Sequence, residues 1–274
     1  MDTVTIIAAR GGWDVQAFIR RVQNDTTFYK AFRSLHVVSY VATNDIKVFD
    51  KNNKVKASLF SHTKQTVSDG CRTMQTLDEK VTGDFYRHNK QYNYYTAELY
   101  DYFFFIHGRI CGDDDIVAGH MDERGKGQLE KSKLQLKKLM FDPGAKVNGI
   151  PFMGDRASIF DDKTAKLYDF KLLSENYNGQ DCYVFKAILK KGEEKNVVYN
   201  ELTTWFRKTD YSIVARNYSL SYHTMFYDFD VQIKVRTTQK GKKLLPAYVN
   251  YAGNWHIFTK KREMVNFTIL FNYE

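Results

Sequence analysis

Nowhere does this chain run for about 18 apolar residues, the least that crosses a bilayer as a helix, so a transmembrane helix is excluded. Its start, MDTVTIIAARGG, has no basic leader region and too short an apolar stretch for an intact signal peptide. Residues 1–12 are expected to lie outside the fold, as what remains after a leader has been removed. Proline is scarce: Pro143, Pro151 and Pro246 are the full set, so no Pro-rich linker divides the chain. The 3 cysteines, Cys71, Cys111 and Cys182, include no Cys-x-x-Cys pair, which removes the usual zinc and dithiol motifs. There is no Gly-x-Ser-x-Gly elbow, Walker loop, dinucleotide fingerprint or His-Glu-x-x-His. The 7 histidines, His36, His62, His88, His107, His120, His223 and His256, put no metal-ligand pair on one element. No catalytic residue, metal site or cofactor is expected. Repeats and low-complexity tracts are absent.

Aromatic residues are what the chain has in excess, with 20 Phe and 19 Tyr among 274 residues. They are concentrated in segments of period two, which suits flat rings on a pleated surface. The clearest is YDFDVQIKVR: Tyr227, Phe229, Val231, Ile233 and Val235 share one face, and Asp228, Asp230, Gln232, Lys234 and Arg236 the other. Such a strand belongs to a sheet with one apolar and one wet face, whose apolar face must be covered by helices, a second sheet or a ligand. The net charge of +9 admits an anionic membrane surface as a contact. No nucleic-acid partner is expected. The densest basic stretches, Lys131 to Lys138 and Lys240 to Lys243, lack the interleaved aromatics on which bases stack.

Along the chain, residues 13–35 carry helical spacing (Val15, Phe18, Ile19, Val22, then Phe28, Ala31, Phe32, Leu35) and read as one helix or two in tandem, with Asp25 placed to cap the second. Strand pattern begins at His36, reverses at the turn Asp50 to Lys54 and returns to Thr66. Residues 72–87 read as strand or irregular chain. The most aromatic segment, NYYTAELYDYFFF (Asn93 to Phe105), reads as a strand or a short helix that lines something apolar. Asp113, Asp114 and Asp115 form a solvated turn and match no calcium loop. A helix is expected over 127–141, stopped by Asp142-Pro143-Gly144. A β-meander follows, with arms at 166–175, 182–190, 196–207, 211–222, 227–237, 243–252 and 255–271. Its turns are expected at Asn178-Gly179, Lys191-Gly192, Lys208 to Asp210, Lys240-Gly241 and Ala252-Gly253. Cys182 reads as a half-buried free thiol. Cys71 and Cys111 both sit beside loop residues; on the residues alone, a disulfide and two free thiols are both open.

The order helix, long hairpin, aromatic segment, central helix, meander resembles the LolA-like superfamily of periplasmic lipoprotein carriers. The likeness is carried by NYNGQDCYVFKAILKK (Asn176 to Lys191) and TTWFRKTDYSIVARNYSLSY (Thr203 to Tyr222). GCRTMQ (Gly70 to Gln75) and GRICG (Gly108 to Gly112) extend it to uncharacterised cell-envelope proteins of Gram-negative bacteria built on that plan. The resemblance implies a mainly β fold with some α: a single curved antiparallel sheet, an incomplete barrel of roughly nine to twelve strands, with helices on its concave side, as one domain over 1–274. It implies a periplasmic or outer-membrane-associated location, and through that oxidising compartment a Cys71–Cys111 disulfide with Cys182 free. The chain is longer than the carrier, and none of its residues matches the carrier's ligand-contacting positions.

Three functions are open. The first is an exported, non-enzymatic protein holding a lipid or lipoprotein acyl chain against Phe18, Phe32, Tyr227, Phe229 and Val231; a dry pocket above about 300 Å³ marks it. The second is an envelope interaction or structural module with a filled core. The third is a hydrolase of surface glycans or peptides, marked by a close carboxylate pair or a Ser-His contact in a cleft. The ligand and the oligomeric state are not written in the sequence.

Overall fold

A computed structural model of the chain describes residues 15–112, 139–144, 155–224, 227–257 and 261–273. Among them are the helices α1 (Val15–Gln23), α2 (Thr27–Ser34) and α3 (Tyr95–Phe104) and a single further turn, α4 (Asp162–Ala165). Eleven strands make one antiparallel sheet: β1 (Tyr40–Phe49), β2 (Val55–Ser68), β3 (Cys71–Thr82), β4 (Arg109–Cys111), β5 (Tyr168–Tyr177), β6 (Gln180–Leu189), β7 (Tyr199–Arg207), β8 (Ile213–His223), β9 (Tyr227–Lys240), β10 (Lys243–Ile257) and β11 (Glu263–Asn272). The spatial order is β4-β3-β2-β1-β11-β10-β9-β8-β7-β6-β5. The meander β5 to β11 runs from one edge to the middle, and the first strand of the chain joins its last. The two edges do not meet, so this is the open, curved half-barrel expected.

Strand register puts the apolar residues on one face. Phe229 pairs with Trp255, Ile233 with Tyr251, Tyr251 with Phe267, Phe267 with Ile46 and Ile46 with Leu59, and every one of these is buried. Along β9, Phe229, Val231, Ile233 and Val235 are buried while Asp230, Gln232, Lys234 and Arg236 are exposed and Asp228 is half-buried, as the alternation requires. The side chain of Tyr227 lies outside the described residues. Two-residue turns sit where Asp69-Gly70 and Asn178-Gly179 supply the two successive positive φ angles such hairpins need.

The segment 13–35 takes its tandem form. Asp25, between α1 and α2, accepts hydrogen bonds from the Thr27 amide (3.1 Å) and hydroxyl (2.6 Å), so the chain restarts there as a second helix. Phe18 and Val22 of α1 and Phe28, Ala31 and Phe32 of α2 turn to the inner face, and α2 packs against β10. Burying each Phe contributes about 1.5–3 kcal/mol. Leu35–Val37 is a single 3-10 turn, so β1 starts at Tyr40 rather than at His36. Of the helix expected over 127–141, residues 139–141 are helical and 127–138 lie outside the described residues, as do Asp113, Asp114 and Asp115.

Ala252-Gly253 is not a turn, and the expected arms 243–252 and 255–271 are corrected accordingly: β10 continues to Ile257. Gly253 stands opposite Val231 and Val265, and a Cβ there would collide with the Tyr251 ring, which lies along the strand so that its hydroxyl accepts from the Trp255 indole. The glycine marks a close approach, not a reversal. Cys71 and Cys111 form the expected disulfide, across the β3–β4 register with Cα atoms 4.0 Å apart. Cys182 is free and fully buried rather than half-buried. It lies on the outer face in a small second cluster with Val184, Trp205, Val214 and Ala215, where burial pushes its thiol pKa up and leaves it inert.

Candidate functional site: the space beneath α3

The segment Asn93 to Phe105 is a helix because its residues match one and a distant carboxylate caps it. Thr96, Tyr100 and Phe104 recur at a spacing of four, and all three are buried. At the N-terminus, Glu263 of β11 accepts from the Tyr95 amide (2.8 Å) with one oxygen and from the Thr96 amide and hydroxyl (2.9 Å each) with the other. A carboxylate there satisfies orphan amides and complements the helix dipole. Ahead of the helix, the Tyr94 hydroxyl donates to Asp84, whose carboxylate is 3.4 Å from Lys56 Nζ.

α3 meets the sheet partly through polar atoms. The Tyr100 hydroxyl donates to Asn44 Oδ1 (2.6 Å), and Asn44 Nδ2 reaches Thr63 Oγ1 (3.1 Å) and Ser61 Oγ (3.3 Å). These groups lie on the inner face and are essentially sealed from solvent. Gln65 continues the row, donating to the carbonyls of Leu35 (2.6 Å) and Val38 (2.7 Å). Burial pushes the Tyr100 pKa far up, so the phenol remains a donor at any physiological pH.

Two voids border this helix. The first is an apolar crevice bounded by Leu99, Tyr100, Leu139, Leu220, Val231 and Trp255, with free space of about 30 Å³. On this measure a water needs about 10–15 Å³, so the crevice admits roughly two small groups. The second, of about 220 Å³, lies under the chain that leaves α3, between Phe32, His36, Tyr40, Gln65 and Arg72. Phe103 borders both voids; Leu139 and Met140 border the first and their neighbour Phe141 the second. Neither void reaches the size of a drug-like ligand pocket in this closed arrangement.

The five residues nominated from sequence fall in different places. Val231 lines the crevice and Phe32 the larger void. Phe229 stacks on Trp255 with ring centroids 4.5 Å apart, one layer behind the crevice. Phe18 belongs to a solid aromatic group with Phe206 (5.4 Å) and Phe185 (6.2 Å). Tyr227 is outside the described side chains. The residues missed are Trp255 and Arg72, although Tyr100 and Phe103 belong to a segment whose aromatic richness pointed to a lining role.

A larger recess lies elsewhere. About 490 Å³ lies open on the outer face among Asn200, Ser219, Asp230, Gln232, Asn254 and Asn266. Its lining mixes polar and apolar residues about equally, and among the described residues that line it Asp230 is the one carboxylate, where acid–base cleavage of a glycoside needs two. Among the described residues, no three His, Cys, Asp or Glu side chains are arranged to hold a metal, and no helix is long and apolar enough to cross a membrane.

No protein-family profile matches this chain, and no curated protein matches it. Solved structures do. The chain is similar to a domain named for outer membrane lipoprotein sorting from Vibrio parahaemolyticus, at 11% identity and a TM-score of 0.27, over 94% of this chain and 88% of that one. It is also similar to a DUF1329 family protein from Desulfovibrio piger, at 13% identity and a TM-score of 0.26, over 91% and 94%. A third match is lipovitellin, whose structure was described for its lipid–protein interactions, at 8% identity and a TM-score of 0.24, over 86% of this chain and 24% of that one. The likeness expected from the chain's order of elements is therefore met by a lipoprotein-sorting domain. At these TM-scores it carries no argument about function, which rests on the geometry.

Proposed function

We propose that this chain is an exported, non-enzymatic binding protein, one unit in which a lipid or acyl chain lies between the half-barrel's inner face and α3. The observation that carries the reading is the pair of adjoining voids that share Phe103 beneath one helix. Such space, walled by rings on an open sheet, accepts a chain-like ligand at about 0.8 kcal/mol per buried methylene. Phe32 and Val231 contact the ligand, and Phe229 acts by holding Trp255 in place. Export and a periplasmic or outer-membrane-associated location are supported by the disulfide, since such bonds persist in oxidising compartments. The net charge of +9 favours transient contact with an anionic membrane surface.

One observation favours the second reading, an interaction module: the crevice holds only about 30 Å³, so an acyl chain enters only if α3 lifts. Titration with a fluorescent fatty acid separates the two. Saturable binding, displaced by phospholipid and abolished by Val231→Phe, is expected of a carrier; filling the crevice this way costs about 1–3 kcal/mol of stability. A native protein that never saturates is an interaction module.

A further inference from the structure

The outer face, which lipid binding leaves unused, carries a recess built around one small side chain. On β10, Ala252 stands in register between Gln232 of β9 and Asn266 of β11; two residues on, Asn254 stands between Asp230 and Met264. Alternation puts all of these on the outer face, because Val231 and Val265, which lie between the members of the flanking pairs, are buried on the inner one. The lone methyl of Ala252 leaves the floor low where its neighbours are long, and about 490 Å³ opens there. Ser219, opposite Gln232 on β8, and Phe49, opposite Met264 on β1, extend the walls. A second hollow of about 220 Å³, bordered by Glu201, Asn217 and Lys234, shares Ser219 and Gln232 with the first, so the two join. From Asn200 on β7 to Phe49 on β1 the groove crosses the sheet for about 24 Å, at ~4.8 Å per strand.

Charge decides what such a groove accepts. Among the described residues that line the larger hollow there is no cation, and Asp230 is the one carboxylate. Arg262 donates to Asn254 Oδ1 (2.8 Å) and is paired with Asp228; Lys47, in register with Asn266, is paired with Asp45 at 2.7 Å. Anions are therefore disfavoured. A carboxamide offers two donors and an acceptor. Asn254 Oδ1 is taken by Arg262 and Asn266 Oδ1 by Asn250 Nδ2 (3.1 Å), which turns the amide nitrogens of Asn254 and Asn266 into the donors they present. Gln232 is exposed and makes no side-chain hydrogen bond among the described residues. We propose that the groove binds an uncharged oligosaccharide. Its hydroxyls donate to Asp230 and exchange hydrogen bonds with Gln232, Asn254 and Asn266, the C–H face of a ring packs on Phe49 and Met264, and Ala252 lets that ring approach the sheet. With one carboxylate, the arrangement is one for binding rather than cleavage. The groove lies on the opposite face from the acyl-chain space and stands independently of it.

The test is saturation-transfer NMR and calorimetry on the whole chain, with a panel of neutral hexamers: α- and β-linked glucose, N-acetylglucosamine, mannose and xylose. At least one is expected to bind saturably, and its sulfated form to bind far more weakly. Gln232→Ala is expected to weaken the best binder about fivefold, the loss of one neutral hydrogen bond. Ala252→Leu raises the floor and is expected to abolish binding, while fatty-acid titration of the inner face stays as in wild type. Gln232 is exposed, so its variant keeps the test open where Ala252→Leu fails to fold. The assignment is overturned if no neutral hexamer saturates, if the sulfated form binds as tightly, or if both variants bind as wild type does. It is also overturned if sedimentation shows a dimer that Ala252→Leu dissolves, since the groove is then a contact between two copies of this chain. Sugar binding without any fatty-acid binding leaves this site standing and removes only the carrier reading.

Discussion

Two stretches of the inner face carry similar aromatic content and are built differently. Beneath α1 and α2, Phe18 sits among Phe185 and Phe206, and Phe28 lies 4.4 Å under the Arg216 guanidinium. Arg216 is itself bound to Thr204 Oγ1 (3.0 Å) and paired with Asp25 at 3.4 Å. Beneath α3, the sheet presents Asn44, Ser61, Thr63 and Gln65, and space remains. Aromatic richness alone therefore does not make a cavity. What distinguishes the α3 side is that the helix is held at its capped end and by the Tyr100–Asn44 bond, with voids along its buried side. The α1–α2 side is locked by interdigitated rings and a sealed ion pair. The first arrangement permits a helix to lift; the second resists it.

The largest expected effect tests the locked side. Arg216 and Asp25 side chains are 4% and 9% exposed, so Arg216→Met leaves a carboxylate buried without its cation. The loss is expected at about 3–5 kcal/mol in urea denaturation, and adding Asp25→Asn recovers part of it. Fatty-acid affinity per folded molecule stays unchanged. A parallel loss of binding would show that the two regions are one cooperative unit and dissolve the contrast.

How much of this contrast could be read from sequence depends on which physics decided each element. β9 was fully legible, because a strand with one buried face has a period of two and nothing interrupts it. Gly253 was misread because Ala-Gly has loop composition; the reason for the glycine is the Tyr251 ring above it, a contact invisible in composition. The segment 93–105 matched helix and strand alike, and the Glu263 cap that favours the helix lies 168 residues away from Tyr95. β3 stayed unresolved because Leu77 is an extra residue at a bulge against β2, and because the strand is exposed along most of its length, so no alternation marks it. Arg72 was hidden for the same reason: a buried arginine stands out only once its strand's faces are known. Phe32 and Val231 could be chosen because apolar faces are legible, but which apolar residues border empty space is set by packing across elements.

A smaller effect tests the liftable side. Tyr100→Phe removes the donor to Asn44 Oδ1 while keeping the ring against Phe267 at 4.8 Å. An acceptor left unsatisfied in the core costs about 1–3 kcal/mol. The expected signature is local: amides of α3 lose hydrogen-exchange protection before those of α1 do, and fatty acid binds faster. Equal loss at both helices would mean that α3 does not open on its own.

The smallest effect is set by pH. The Tyr94 hydroxyl, more than Lys56, holds the Asp84 carboxyl below its ordinary pKa of 3.8, against a smaller upward push from burial. A carboxyl whose folded pKa is depressed stabilises the fold fully above its ordinary value, and that contribution disappears as pH falls through the lowered one. Asp84 braces the residue that leads into α3, and Asp84 and Lys56 are about half exposed, so the loss is small and confined to this end of the molecule. Lowering pH from about 5 to about 3 is expected to reduce exchange protection in residues 95–104 more than in residues 15–23, after correction for the intrinsic pH dependence of exchange. In Asp84→Asn the α3 amides should start less protected, and this difference between the helices should no longer grow with acid. Should both helices lose protection together in the wild-type protein, acid acts on the fold as a whole, and the Asp84–Tyr94 contact does not brace α3.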